Sequence, residues 1–203
     1  MIRKDITLIQ KHYSGSEAKL YEHNRKNKKW QFEKKVVENF IKSKQDISSI
    51  ADAPLGTNRF GDLIDQQKNI KKFYGYEYSD DMIKFATSKS NKKLSVIKHD
   101  LINHCIKNSV DALLMIRMLN LVTAEDMEKI LLNTLPKVQK YFVCTLRHDS
   151  KYQYIENKIH IQELEKFNNI LNKFGFIEIQ KHNLNEPRKG NYTIIVASKN
   201  ENI

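Results

Sequence analysis

Apolar positions recur along this chain with two different periods. Over residues 16–44 the pattern is helical, with a break at 24–27, and Trp30, Phe32, Val36, Val37, Phe40 and Ile41 recur at three-to-four spacing. From Asp46 onward, short apolar runs alternate with amphipathic segments. Residues 47–51 predict a strand ending at Asp52, followed by a turn over 53–58 and a helix from about Arg59 to Gln67. Residues 72–77 predict a second strand. Ser79 is a good N-cap, with Asp80 and Asp81 in the first turn, for a helix to about Ser88. Residues 94–99 predict a third strand. Residues 110–116, continuously apolar, predict a fourth that is covered on both faces. Thr123 caps a helix over 124–135, and residues 140–146 predict a fifth strand. A helix over 161–173 ends at Gly175. Residues 176–180 and 192–197 are the last two strands, joined by a loop over 181–191.

Strands that alternate with helices imply a parallel sheet. The reading is an α/β fold: a seven-stranded, mostly parallel, doubly wound sheet with an antiparallel last strand, helices on both faces and a helical N-terminal cap. Two divisions follow, a cap or lid over 1–45 and the sheet domain over 46–203. With 203 residues, 40% hydrophobic and 29% charged, the chain builds one core and is not disordered. The longest apolar run, Ala112 to Ile116, is far below the roughly 20 residues of a membrane span. Residues 1–6 contain no secretory h-region, so a cytoplasmic location without a membrane span is expected. Cys105 and Cys144 have no metal-type spacing, and no metal site is expected.

The net charge of +11 is uneven, since residues 1–45 alone carry 12 Lys/Arg against 5 Asp/Glu. An N-terminal segment of +7 suits an anionic partner: a phosphorylated or carboxylated metabolite, an acidic glycan, or nucleic acid. The abundance of Lys, Asn and Ile also fits AT-rich coding.

Ligands of open parallel sheets sit at the carboxyl ends of the strands. There the chain places Asp52 and the Gly56 turn, then Glu77, then Asp100, then Arg117-Met118-Leu119-Asn120, and last Arg147-His148-Asp149. A carboxylate at the second strand's end can accept from a ribose diol, an acid after the third can accept from an adenine amino group, and a tight Gly turn lets backbone approach a ligand. A dinucleotide fingerprint is not met, because only Gly56 and Gly61 follow the first strand.

These residues also resemble a family. Ile50-Ala51-Asp52-Ala53-Pro54-Leu55-Gly56-Thr57-Asn58-Arg59-Phe60 is similar to the first motif of class I, Rossmann-like, S-adenosylmethionine-dependent methyltransferases. Tyr74-Gly75-Tyr76-Glu77-Tyr78-Ser79-Asp80-Asp81-Met82 resembles the second motif, His99-Asp100-Leu101 the third, and the run from Val110 to Leu121 the fourth. The likeness covers about residues 46–199. It implies S-adenosylmethionine as cofactor and S-adenosylhomocysteine as product. Asp52, Ala53, Pro54, Gly56 and Asn58 would line its methionine part, and Glu77 would bind both ribose hydroxyls. Tyr78 and Met82 would flank the adenine, Asp100 and Leu101 would contact its edge, and Ile116 would lie near the sulfonium. Arg117 would point toward the acceptor. Asn58 stands where the motif's last Gly is usual, and Asn is the best non-Gly residue for a left-handed backbone. Asn120 replaces a frequent His.

The implied activity is methyl transfer to a small-molecule or glycan-linked, anionic acceptor. RNA is the competing acceptor, and a protein that binds or cleaves the cofactor without transferring methyl is the reading from another class. Tyr21, Arg25, Arg117, Arg147 and His148 are candidates for touching substrate, with Trp30 beside them. Tyr13, Tyr21, His23, His148 and Asp149 are candidate bases, and none is assigned.

Overall fold

The structure, a computed structural model, describes residues 28–89, 91–148, 154–155, 159–186 and 190–200. Helix α1 (Lys28–Ser43) precedes strand β1 (Ser49–Asp52). Then come α2 (Gly61–Gln66), β2 (Lys72–Glu77), α3 (Asp80–Thr87), β3 (Leu94–Lys98) and β4 (Val110–Met115). A 3-10 turn (Leu119–Leu121) leads to α4 (Ala124–Thr134), and β5 (Val138–His148) follows. A two-residue pair, β6 (Tyr154–Ile155) and β7 (Ile159–His160), precedes α5 (Leu164–Lys173), β8 (Phe176–Glu186) and β9 (Gly190–Lys199).

The seven-stranded sheet has the order β3-β2-β1-β4-β5-β9-β8. Pairing from β3 through β5 is parallel, and β9 runs antiparallel to both β5 and β8. Two apolar clusters lie on the two sheet faces. Val36, Val37, Phe40 and Ile41 of α1 join Ile64 of α2 and Ala86 of α3 on one face. Met127, Ile130 and Leu131 of α4 join Phe167, Ile170 and Leu171 of α5 on the other. Helices thus cover both faces, as the strand–helix alternation predicts. Both predicted caps are formed: Ser79 accepts from the Met82 N–H, and Thr123 from that of Asp126.

Register explains where a site can form. Asp52 lies level with Gly75 of β2 and Leu114 of β4, and Glu77 lies level with Lys98 of β3. The carboxyl ends of these strands therefore share one rim. From β1 the chain steps outward through β2 to β3 and then returns to β4 on the other side, which makes β1/β4 the switch point. At the opposite rim Asp111 accepts from the N–H and hydroxyl of both Ser48 and Ser49, tying β4 to the entry of β1. Burial opposes its ionisation, but these bonds hold its carboxyl below the usual range.

The sheet departs from expectation at its far edge. The residues expected as a loop over 181–191 are largely strand, because β8 and β9 continue their ladder to Glu186 and Gly190. β5 likewise continues to His148, pairing Arg147 with Tyr192 and His148 with Asn191. Backbone pairing sets these extensions; Lys181 and Asn183 stay exposed, so no apolar alternation announces them. The β6–β7 pair was likewise unannounced. Among the described residues, no helix is long and apolar enough to cross a membrane.

Candidate functional site

The turn after β1 is fixed at the switch point by its neighbours. The Ala53 N–H donates to the Leu114 carbonyl at 2.9 Å, and the Leu55 N–H to that of Tyr76 at 2.9 Å. Gly56 takes φ +55°, a backbone that side chains disfavour, and Asn58 adopts the same left-handed φ of 55°. Gly75 leaves room for the turn: a Cβ there would come within 2.5 Å of the Leu55 side chain.

Glu77 ends β2 at this rim. Its carboxylate accepts from the N–H groups of Gly56 (2.8 Å), Tyr78 (2.9 Å) and Ser79 (2.9 Å). It is thus held in one orientation while facing a hollow lined also by Pro54, Gly56, Tyr78, Met82, Leu101 and Ile116. Burial pushes its pKa above the ordinary value, although the three backbone bonds act in the opposite sense. Asp100 lines the same end, and its oxygens accept from the Ile102 and Asn103 N–H groups and from the Asn103 amide, closing the turn after β3. His99 also lines the hollow, with Nε2 3.0 Å from the His104 carbonyl.

The other end of the hollow is basic. Trp30 of α1, Arg59 after the β1 turn and Arg117 after β4 line it together. The two guanidinium carbons lie 4.5 and 4.4 Å from the Trp30 ring centroid. Behind them Glu33 is fully buried. It accepts from Arg59 Nη1 at 2.9 Å and from Arg117 Nε at 2.8 and 3.0 Å, and the Tyr192 hydroxyl donates to it. Burial opposes ionisation of Glu33, but the guanidiniums of Arg59 and Arg117 outweigh it and hold the carboxyl below its usual range. Burial, with Glu33 beside it, drives the Tyr192 phenol well above its ordinary value. Arg117 itself takes φ +65°, and its N–H donates to the Thr145 hydroxyl at 2.6 Å.

The structure thus brings Pro54, Gly56, Glu77, Tyr78, Met82, Asp100, Leu101, Ile116 and Arg117 to one hollow. Asp52, Ala53 and Asn58 are buried behind the turn and are not among the described lining residues. Arg147 and His148, expected at the mouth after the fifth strand, are instead buried within β5, because that strand continues through them; His148 Nε2 lies 2.8 Å from the Thr193 hydroxyl. Asn120 is buried as well and does not line the hollow. Tyr13, Tyr21, His23, Arg25 and Asp149 lie outside the described residues. Sequence reasoning missed Glu33 and also Gln162, whose amide donates to the carbonyls of Leu119 (2.6 Å) and Val122 (2.8 Å) and so pins the turn after β4. Glu33 carried a signal, because it falls at i+3 from Trp30 and i−3 from Val36, on the apolar stripe of α1.

No family model matches the chain, and no curated protein matches it. Solved structures do. Magnesium protoporphyrin IX methyltransferase from Synechocystis PCC 6803 with bound S-adenosylhomocysteine superposes with a TM-score of 0.76 at 10% identity, over 96% of this chain and 99% of that one. The methyltransferase domain of bacterial CtHen1 superposes with a TM-score of 0.65 at 12% identity, over 83% and 97%. A putative S-adenosylmethionine-dependent methyltransferase from Listeria monocytogenes gives 0.57 at 14% identity, over 76% and 92%. Together with the strand order and the site at its switch point, these likenesses show that the chain has the fold of the class I S-adenosylmethionine-dependent methyltransferases.

Proposed function

We propose that this protein is an S-adenosylmethionine-dependent methyltransferase acting on a small or glycan-linked anionic acceptor. The observation that carries the reading is Glu77: a buried carboxylate, oriented by three backbone N–H groups, facing a hollow at the switch point. Such an acid suits a ligand that brings hydroxyl donors, as a ribose does.

Glu77 would hold the ribose, with Tyr78 and Met82 beside the base and Asp100 and Leu101 at its edge. Pro54 and Gly56 would shape the path of the amino-acid arm, with Asp52, Ala53 and Asn58 supporting the turn from behind. When bound, the cofactor supplies a methyl group already activated on a sulfonium, so the protein's task is to align the acceptor and exclude water. Ile116, Met118, Leu121 and Val122 give that part of the hollow an apolar wall. Among the described lining residues, Glu77 and Asp100 are engaged by backbone N–H groups, and His99 Nε2 lies against the His104 carbonyl. An acceptor whose methylated atom is already anionic needs no base, which favours that class.

Incubation of the protein with methyl-labelled S-adenosylmethionine and the small-molecule fraction of a cell extract tests the reading. A labelled product of low molecular weight is expected, and a cofactor that stays intact and unused contradicts it. The second reading has RNA as acceptor, and Lys34, exposed on α1 beside Trp30 and Arg59, favours it. Label transferred to RNA, with binding that weakens steeply as salt rises, would select it.

A further inference from the structure

We infer that the rim of the sheet opposite the hollow is a docking surface for the phosphate backbone of a nucleic-acid duplex, carried by Lys71, Lys72, Lys92 and Lys107. The inference goes beyond the methyltransferase reading and does not rest on it.

Charge is sorted between the two rims. Residues 44–48, 66–72, 88–93, 104–110 and 135–138, which enter β1 to β5, hold nine lysines against one acid, Asp46. Residues 77–82, 98–100 and 116–126, which end or leave β2, β3 and β4, hold six acids against Lys98 and Arg117. Composition sets how many lysines a chain has, but it does not collect them on one rim. Helix ends favour cations only within the last turn, and Lys71, Lys72 and Lys92 stand beyond the ends of α2 and α3.

Register sets these lysines in a row. Lys72 lies level with Ser49, the Lys71 N–H donates to the Ser48 carbonyl at 2.7 Å, and the Phe73 N–H donates to the Lys93 carbonyl at 3.1 Å. Lys107 enters β4, which pairs with β1 on its other side. All four side chains are exposed, and none takes part in an ion pair among the described residues. The acids nearby are already engaged. Asp46 lies 3.4 Å from Lys140 Nζ, Asp111 accepts from Ser48 and Ser49, and Asp65 accepts from the Lys92 N–H at 3.2 Å. Three strand steps separate β3 from β4, about 15 Å in all. One strand of a duplex carries a phosphate per about 3.4 Å of axis, so about four face that span. Phosphate contacts read no sequence, and lysine supplies them as a point charge. A single strand would call for exposed aromatic rings and a membrane for an apolar face. Among the described residues the exposed large apolar side chains do not join the row: Tyr78 follows β2 at the other rim, Leu132 stands alone on α4, and Ile177 and Ile179 lie on β8 at the far edge.

Fluorescence anisotropy of a short labelled RNA duplex, and of a DNA duplex of the same length, tests the surface across a salt series. The wild type should bind both at low salt, with log affinity falling against log salt at a slope of about −3 to −4. A variant carrying Lys71→Gln, Lys72→Gln, Lys92→Gln and Lys107→Gln should bind about a hundredfold more weakly or worse, with most of that slope gone. Its circular dichroism should match the wild type, since all four side chains are exposed. Should the combined variant fail to fold, each single substitution should still reduce the slope by about one. A wild type that binds neither duplex at low salt overturns the inference. So does a folded rim variant with unchanged affinity and slope. Binding lost in Lys34→Gln but kept in the rim variant also overturns it, because it puts the nucleic acid beside the hollow. Binding to phosphatidylserine vesicles without binding to either duplex replaces the nucleic acid by a membrane surface and overturns the assignment as well.

Discussion

The two ends of the hollow are built by opposite means. At the acidic end, Glu77 and Asp100 come from the tips of neighbouring parallel strands, and they are held by nearby N–H groups, with the Gly56 N–H reaching Glu77 from the β1 turn. At the basic end, Glu33 meets Arg117 across 84 residues and Tyr192 across 159. The difference shows in their protonation. Burial raises the pKa of Glu77, so the fold alone does not make its charge favourable. The two guanidiniums lower that of Glu33, so its charge is already answered within the protein. On the proposed reading Glu77 is therefore the acid that would gain from a ligand, whereas Glu33 already has its countercharges within the protein.

The largest effect that separates them is on stability. Glu33→Ala leaves two enclosed guanidiniums without their shared carboxylate and should lower the unfolding free energy by about 3–5 kcal/mol. Glu77→Ala should lower it by only about 1–2 kcal/mol, through the backbone donors it abandons. Urea midpoints measure both, and equal losses would break the comparison.

Acid should separate the ends next. The contribution of Glu33 is present above its ordinary value of 4.5 and is lost as pH falls through its lowered folded value. Glu77 has the opposite sign: its own contribution is present below 4.5 and is lost as pH rises through its raised folded value. On acidification from neutrality, Glu77 therefore gains its proton first. Nucleoside affinity should fall by up to about tenfold per pH unit while circular dichroism still reports a folded chain. Binding that persists unchanged until the protein unfolds would contradict the assignment of Glu77.

Smaller changes sharpen the picture. Gly56→Ala meets no atom within 4 Å but must hold φ +55°, so its cost should be about 1–2 kcal/mol and come from backbone alone. That cost should appear in thermal unfolding and in weaker nucleoside binding, since the Gly56 N–H helps orient Glu77. Thr123→Ala, remote from both ends, removes the cap of α4. It should lower stability by about 1 kcal/mol and leave nucleoside affinity unchanged.

What could be read from the sequence follows the same division. Glu77 and Asp100 are legible because each stands at or just past the end of a short strand, and parallel pairing carries such strand ends to one rim, where Asp52 also ends β1 although it lies behind the turn. Asn58 is legible because few residue types tolerate a left-handed backbone. Glu33 was hidden among the lysines of α1 although its position belongs to the apolar stripe. A burial pattern tells which face is inside, and it does not name the cation waiting there. Arg147 and His148 mislead because two polar residues in a row read as the end of a strand, whereas a ladder partner in β9 keeps the strand going. The β8–β9 extension is hidden for the same reason, since polar residues such as Lys181, His182 and Asn183 carry much of its ladder.

The most direct test of the adenosine site is a calorimetric titration of S-adenosylhomocysteine into the wild type and into Glu77→Ala. Saturable binding by the wild type, weakened about tenfold to a hundredfold in the variant through loss of charge-assisted hydrogen bonds, is the predicted result. Absence of binding by the wild type, or the same affinity in both proteins, would contradict it.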